Sequence, residues 1–382
     1  MIETSARRLL LPLNPLYRLV LALRELSFWA PAQRLRYPVI SIGNLSTGGT
    51  GKTPLTIALA GALERRGVKL DILSRGYGRE GNQAARVDEE GSAQEFGDEP
   101  LLMARETGMP VFVGAQRYDA GLIAEAESKA APPASGSPPG PLPVKPGSAM
   151  VVLKPELEVG PLPPESSITK TTISDEPPSP LPYPVHLLDD GFQHRQLARN
   201  IDILLLNRHD WQDWLLPAGN LREPLDAARR ADVIAIPADE PELEVALHVW
   251  GWEKPIWHVH RIMEIPPVKN PVAAFCGIAR PEQFFTGLEE AGLEIASRFA
   301  FPDHFTYTRA ALEEMLRNAE AAGALTLITT EKDLVRLGKM TKLISASMPL
   351  VVARLRIKIE NQAKAIDWLI ERLNRIPNPS RF

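Results

Sequence analysis

The chain has 382 residues, 44% of them hydrophobic, and a formal net charge of −4. That length suffices for two globular domains, and the slight acidity argues against a general nucleic-acid binder, which needs a basic surface. The one cysteine, Cys276, excludes an internal disulfide and a cysteine-based zinc site, and suits a reducing compartment.

Residues 1–36 stand apart, with six arginines against two glutamates: this piece carries +4 and the remainder −8. Leu16, Leu19, Val20, Leu23 and Leu26 recur at helical spacing, and Phe28 and Trp29 follow. The longest uncharged run, Leu9–Tyr17, holds two prolines and is far short of the roughly 20 apolar residues that span a bilayer. No small-residue cleavage site follows it, against a signal peptide. A basic amphipathic helix with terminal aromatics suits a membrane interface; packing on the protein's own core is the other reading.

Val39–Ile42 reads as a short buried strand, followed by the run Ser46, Thr47, Gly48, Gly49, Thr50, Gly51, Lys52 and Thr53 and then by Pro54 at a helix start. Strand, glycine-rich loop and Lys-Thr at a helix N-terminus is how a chain holds a polyphosphate: loop N–H groups and the positive helix end cradle the anion. Lys52 then reaches the β/γ-phosphates and the Thr53 hydroxyl ligates Mg²⁺. Ser46 stands where the general pattern has its first glycine, leaving the Gly-Lys-Thr core intact.

A second strand, Val68–Leu73, ends in Ser74-Arg75-Gly76-Tyr77-Gly78-Arg79. Ligands bind outside the carboxyl ends of parallel strands, so Arg75 and Arg79 are candidate ligand contacts, solvated surface charges being the alternative. Residues 80–95 read as polar loop. Gly97-Asp98-Glu99-Pro100 opens a helix, where adjacent acids commonly serve as N-caps, and Val111–Gly114 is a strand followed by Arg117. In residues 128–184, 16 of 57 positions are proline, too few large apolar groups to offset ordering entropy, so a disordered insertion is expected. Val185–Leu188 resumes as a strand and runs into Asp189-Asp190-Gly191-Phe192-Gln193-His194-Arg195, the form of a strand whose terminal acids hold a Mg²⁺ shell. Ile201–Leu206 follows. The next residues, Asn207-Arg208-His209-Asp210, nearly spell the guanine-reading N-K-x-D, with Arg for Lys, and read as coincidence. Asp232–Ile236 is a further strand, and the alternation argues a parallel α/β sheet. Alternation in residues 256–262 suggests a half-buried strand rather than a zinc site, since His258 and His260 have no evident third ligand. Val272–Cys276 opens a second α/β unit, with strands at 325–329 and 350–357 and a closing helix at 359–374.

Taken in order, S-T-G-G-T-G-K-T, S-R-G-Y-G-R, G-D-E-P, D-D-G-F-Q-H-R, L-L-P-A-G-N-L-R-E-P, F-C-G-I-A-R-P-E-Q-F-F, F-P-D-H-F and T-T-E-K-D closely resemble the tetraacyldisaccharide 4'-kinase family of lipid A synthesis over nearly the whole chain except 128–184. The resemblance implies transfer of the ATP γ-phosphate, with Mg²⁺, to the 4'-hydroxyl of a lipid A disaccharide 1-phosphate, forming lipid IVA. It places the enzyme as a peripheral monomer at the cytoplasmic face of the inner membrane. By motif, Ser46–Thr53 binds the nucleotide; Thr53, Glu99, Asp189 and Asp190 surround the metal. Asp98 accepts the hydroxyl proton with His304 paired to it, Lys52 serves the phosphates, and Arg75, Arg79, Arg117 and His194 meet the substrate. The lipid acceptor favours the interfacial reading of the first helix. Asn200 and Asn207 stand where the family commonly has Asp.

The expected architecture is thus a phosphate-loop α/β core, a parallel sheet with helices on both faces, over 37–240. The helix of 1–36 precedes it, 241–270 supplies linking strands, and 271–382 forms a smaller α/β domain. Asp98 and His304 fall in different domains, so their pairing is expected on domain closure. A phosphate-loop GTPase of the metallochaperone type, using Asn207–Asp210, is the rival reading; a membrane-surface scaffold explains none of the acids.

Overall fold

The structure is a computed structural model that describes residues 8–27, 31–130 and 181–376. Among the described residues, twelve strands form one sheet: β1 (Val39–Asn44), β2 (Leu70–Ser74), β3 (Ala85–Arg86), β4 (Val111–Val113), β5 (Val185–Asp189), β6 (Ile201–Leu205), β7 (Val233–Pro237), β8 (Ile256–Glu264), β9 (Val272–Cys276), β10 (Ile295–Ala300), β11 (Thr326–Thr330) and β12 (Leu350–Ile359). Their order is β10-β9-β11-β12-β8-β7-β6-β1-β5-β2-β4-β3. Every pairing is parallel except β3 with β4 and β8 with β12.

β1 lies in the interior of this sheet between β5 and β6, and all six of its residues are buried. A strand covered on both faces reads as a near-continuous apolar run. Ile40 and Ile42 of β1, with Ile201, Ile203 and Leu205 of β6, join the core under the helix Lys52–Arg65. Leu204 of β6 and Ile234 and Ile236 of β7 face a second core on the other side. The expected helices on both faces are present.

The linking segment supplies β8, which pairs in parallel with β7 and antiparallel with β12, so both α/β units share one sheet. Residues 80–95 are not simply loop. They hold the two-residue strand β3 and a short helix, Ala93–Phe96, with Ser92 as N-cap. β10, an edge strand with no fully buried residue, has no clean alternation and was not foreseen.

The helix Asn14–Ser27 lays Tyr17 and Leu21 against the second core, while Leu16, Leu19, Val20 and Leu23 are all more than half exposed. Leu26 side-chain packing, Phe28 and Trp29 lie outside the described residues, as do residues 131–180 of the proline-rich insertion. The insertion is narrower than its composition suggests. The helix Arg117–Ala130 runs past residue 128, and beyond the segment Leu181 and Tyr183 are buried, the Tyr183 hydroxyl donating to the Leu373 carbonyl at 3.0 Å. No described helix is long and apolar enough to cross a membrane.

Candidate active site

The phosphate loop leaves β1 and ends at the helix Lys52–Arg65. Gly48 and Gly51 have φ of 102° and 96°, a region glycine enters freely and other residues rarely do. Gly51 is the N-cap and offers no side-chain acceptor, which leaves the first-turn N–H groups open to an anion. The loop is tied at its start: Ser46 bridges Leu221, and the Thr47 N–H donates to the Asn220 carbonyl at 2.8 Å. Ser46 is buried next to the buried Asp210, and the Asn207 side chain caps the following short helix by accepting from the Asp210 N–H at 2.9 Å. Asn207–Asp210 therefore braces the turn beside the phosphate loop, and Asn207 and His209 also line the cavity next to Thr50. Asn200 is likewise structural, its Oδ1 accepting from the Val39 N–H at 2.9 Å. Both residues that depart from the family pattern anchor backbone N–H groups.

The acidic pair ends β5, beside β1, as expected. Asp189 Oδ1 accepts from the Thr56 hydroxyl at 2.9 Å. Burial, and then the Asp190 charge beside it, push the Asp189 carboxyl up to about 6. Asp190 has φ of 48°, an unusual backbone for a non-glycine residue. Burial would raise its pKa, but Lys52, at 3.5 Å, and Arg222, at 3.2 Å, hold it below the usual range. Arg222 was not foreseen: it comes from the L-R-E-P loop, and the only hint was an Arg in a loop rich in motif residues. Arg117 is buried, with Nε lacking any hydrogen-bond partner. Burial and then the charge of Arg75 push its guanidinium down to about 10, and Asp190 and Asp189 pull back. Arg117 thus lies near both Arg75 and the acidic pair. Arg79 instead turns to its own loop, donating to the Gln83 carbonyl. His194 sits in the turn after the pair, its N–H on the Gly191 carbonyl at 2.8 Å.

The third cluster joins the two halves of the chain. Asp98 and Glu99 open the helix Asp98–Thr107, after Gly97 at φ 89°. A Cβ on Gly97 would stand 3.0 Å from Gly76 Cα, so glycine lets the G-D-E-P and S-R-G-Y-G-R loops meet backbone to backbone. His304, at φ 58°, places Nδ1 3.1 Å from Asp98 Oδ2. The expected pair is already in contact here. Burial would raise Asp98, but the His304 hydrogen bond, the Glu99 contact and the charges of Arg336 and Lys332 hold its carboxyl well below the usual range. The Asp98 hydrogen bond raises His304. Glu99 is raised, chiefly by burial, although Lys332 Nζ lies 2.7 Å away. Lys332 and Arg336, both on the helix Glu331–Leu337, were not assigned from sequence. Asp98, Glu99 and His304 offer possible ligand atoms all within 4.8 Å of one another. Glu99 also contributes to raising Asp189, which ties this cluster electrostatically to the acidic pair and to Lys52.

A cavity of about 190 Å³ opens beside Thr50 at the carboxyl ends of β6 and β7, lined by Asn207, Pro237, Val259 and Arg280 among others.

Residues 6–374 match the family model described as tetraacyldisaccharide-1-P 4'-kinase. The tetraacyldisaccharide 4'-kinase of Koribacter versatilis is 36% identical over 377 residues, covering 95% of this chain and 98% of that protein. That of Pelobacter propionicus is 32% identical over 389 residues, covering 96% and 92%. Among solved structures, LpxK from Aquifex aeolicus, an "apo" form in complex with ATP, is 30% identical with a TM-score of 0.65, covering 96% of this chain and 99% of that one.

Proposed function

The chain belongs to the tetraacyldisaccharide-1-P 4'-kinase family and is a phosphotransferase of lipid A biosynthesis; from that premise we propose how its residues carry out the transfer. The observation that carries the reading is the linkage of phosphate loop, acidic pair and Asp98–His304 pair through neighbouring charges. Lys52 touches Asp190, and Glu99, next to Asp98, acts on Asp189.

ATP is the donor. Ser46 to Thr53 wraps its phosphates by N–H donation and the helix end, Lys52 meets the β/γ oxygens, and the cavity beside Thr50 takes the nucleoside. Thr53, Asp189, Asp190 and Glu99 carry the hard oxygen atoms that would hold Mg²⁺. Asp189, lifted to about 6 by burial and a second carboxylate, has the surplus negative charge that a divalent cation relieves. When bound, Mg²⁺ neutralises charge on the phosphate oxygens. Arg117, with a buried Nε that has no hydrogen-bond partner, and the nearby exposed Arg75 await a polyanion, either the ATP phosphates or the 1-phosphate of the acceptor. Arg79 and His194 are assigned to the acceptor by motif alone.

Asp98 and His304 act on the acceptor. The 4'-hydroxyl proton passes to this pair as the oxygen attacks in line. A carboxylate held well below its usual range is a weak base, which suffices because the phosphoryl group moves through a loose transition state with little demand for nucleophile activation. Orientation of the hydroxyl and shared proton acceptance are then the pair's contribution.

The acceptor is a lipid, and the helix Asn14–Ser27 offers a way to reach it. Its inner face is fastened to the core, and its outer face of Leu16, Leu19, Val20 and Leu23 lies open. That face lies in the membrane interface, at the cytoplasmic side of the inner membrane, and the enzyme works as a peripheral monomer.

Transfer of labelled γ-phosphate from ATP to tetraacyldisaccharide 1-phosphate tests the reading. A labelled bisphosphorylated lipid is expected; acceptor-independent hydrolysis that prefers GTP would support the metallochaperone reading instead.

A further inference from the structure

Arg336 makes more connections to the Asp98–His304 pair than any role assigned above explains. Its Nε and Nη2 both donate to Asp98 Oδ2, at 2.8 and 2.6 Å, the same oxygen that faces His304 Nδ1. Its Nη1 donates to the Gly277 carbonyl. That carbonyl also accepts the His304 backbone N–H at 3.2 Å. One guanidinium therefore touches both the side-chain partner and the backbone partner of His304.

The guanidinium is itself fixed. Arg336 is buried, and Nη1 lies 3.1 Å from Oδ1 of Asp333, which is fully buried. Asp333 Oδ1 also accepts from the Tyr307 hydroxyl at 2.9 Å and the Gly277 N–H at 3.0 Å, and Oδ2 accepts from the Thr330 hydroxyl at 2.5 Å. The loop leaves no slack: a Cβ on Gly277 would come 3.0 Å from the Pro302 carbonyl and 3.3 Å from Asp333 Oδ1. One helical turn earlier on the same face, Lys332 takes Glu99. Each acid of G-D-E-P thus has its own cation on this one helix.

We propose that Arg336 is a positioning residue for the transfer: it sets the relative orientation of Asp98 and His304, holding the carboxylate oxygen and the His304 backbone at once. The inference rests on the reading of Asp98 and His304 as the acceptor-side pair. The role demands a planar fork. Lysine keeps the charge as a single point and cannot span Asp98, Gly277 and Asp333 together.

The test uses the full chain and the variants R336K, R336M, H304A and R336K/H304A. It measures kcat and KM for phosphoryl transfer, affinity for a fluorescent ATP analogue, and melting temperature. R336K is expected to lower kcat about tenfold or more, with nucleotide affinity within about twofold of wild type, the signature of an interaction lost in the transition state alone. The double variant is expected to be little worse than H304A, because residues acting as one unit are non-additive. Should R336M lose its fold through the uncompensated Asp98 charge, R336K, which keeps that charge, decides. Wild-type kcat in R336K beside an impaired H304A would overturn this inference alone, as would full additivity of the two. Wild-type kcat in H304A would overturn the pair itself, and this inference with it.

Discussion

His186 in β5, three residues before Asp189, is buried between two carboxylates that favour its charged form, and its titration can be followed. Its ring is fully buried, with Nδ1 2.7 Å from Asp71 Oδ1 and Nε2 3.6 Å from Glu125 Oε1. Glu125 in turn accepts the Tyr37 N–H at 3.0 Å. Burial would lower the imidazole pKa, but the two carboxylates overcome it and push it from 6.5 to about 9. Because the folded value lies above the unfolded one, the stabilisation is fully present below pH 6.5 and is lost as pH rises through about 9. At about 1.4 kcal/mol per pH unit, the amount at stake is about 3 kcal/mol. The substitution His186→Gln keeps a hydrogen-bonding side chain but no charge. Thermal unfolding of both proteins is then followed from pH 6 to pH 10. The wild type is expected to lose several degrees more than the variant between pH 7 and pH 10, and to be the more stable at pH 6. Removing the cation leaves two carboxylates buried, a loss of about 3–5 kcal/mol when a buried pair is broken. Parallel pH curves for the two proteins would refute a charged His186.

Two further outcomes follow from loop and helix geometry. Gly97→Ala puts a Cβ 3.0 Å from Gly76 Cα at φ 89°; the backbone penalty is about 1–2 kcal/mol, and displacement of Asp98 is expected to lower kcat more than nucleotide affinity, with unaltered turnover counting against the loop contact. Replacing Leu16, Leu19 and Leu23 together by Gln leaves Tyr17 and Leu21 on the core and is expected to weaken binding to anionic lipid vesicles about tenfold or more, at about 25 cal/mol per Å² of apolar surface withheld. Unchanged partitioning, with transfer to a detergent-dispersed acceptor also unchanged, would remove this helix from the membrane account.

What could be read before the structure was local. The phosphate loop announces itself because strand, glycines and Lys-Thr are contiguous, and the Asp189–Asp190 pair because it terminates an apolar run. The pairing of Asp98 with His304 came only through resemblance, since nothing in either motif points across the chain. Arg336 and Lys332 escaped because their partners lie more than 230 residues away, 238 for Arg336 and 233 for Lys332. Their i, i+4 spacing on a short helix is what any solvated face shows. Arg222 lies only 32 residues from Asp190 and still escaped, because the two meet only where its loop packs beside the phosphate loop. The joining of both units into one sheet depends on the antiparallel β8–β12 pairing, a non-local contact that no periodicity encodes. Asn207–Asp210 has a role that its motif does not announce: Asn207 is the N-cap of a short helix with Asp210 buried beside it, while Asn207 and His209 also line the cavity next to Thr50.

The central claim is that acceptor chemistry rests on an Asp98–His304 pair assembled from both halves of the chain, with nucleotide held independently by the phosphate loop. The most direct measurement is the kcat of phosphoryl transfer to tetraacyldisaccharide 1-phosphate by H304A, together with its affinity for ATP. A fall in kcat of about 10²-fold, the scale of a lost acid–base partner, with ATP affinity unchanged, is the expected result. Wild-type kcat, or a loss confined to ATP binding, would contradict it.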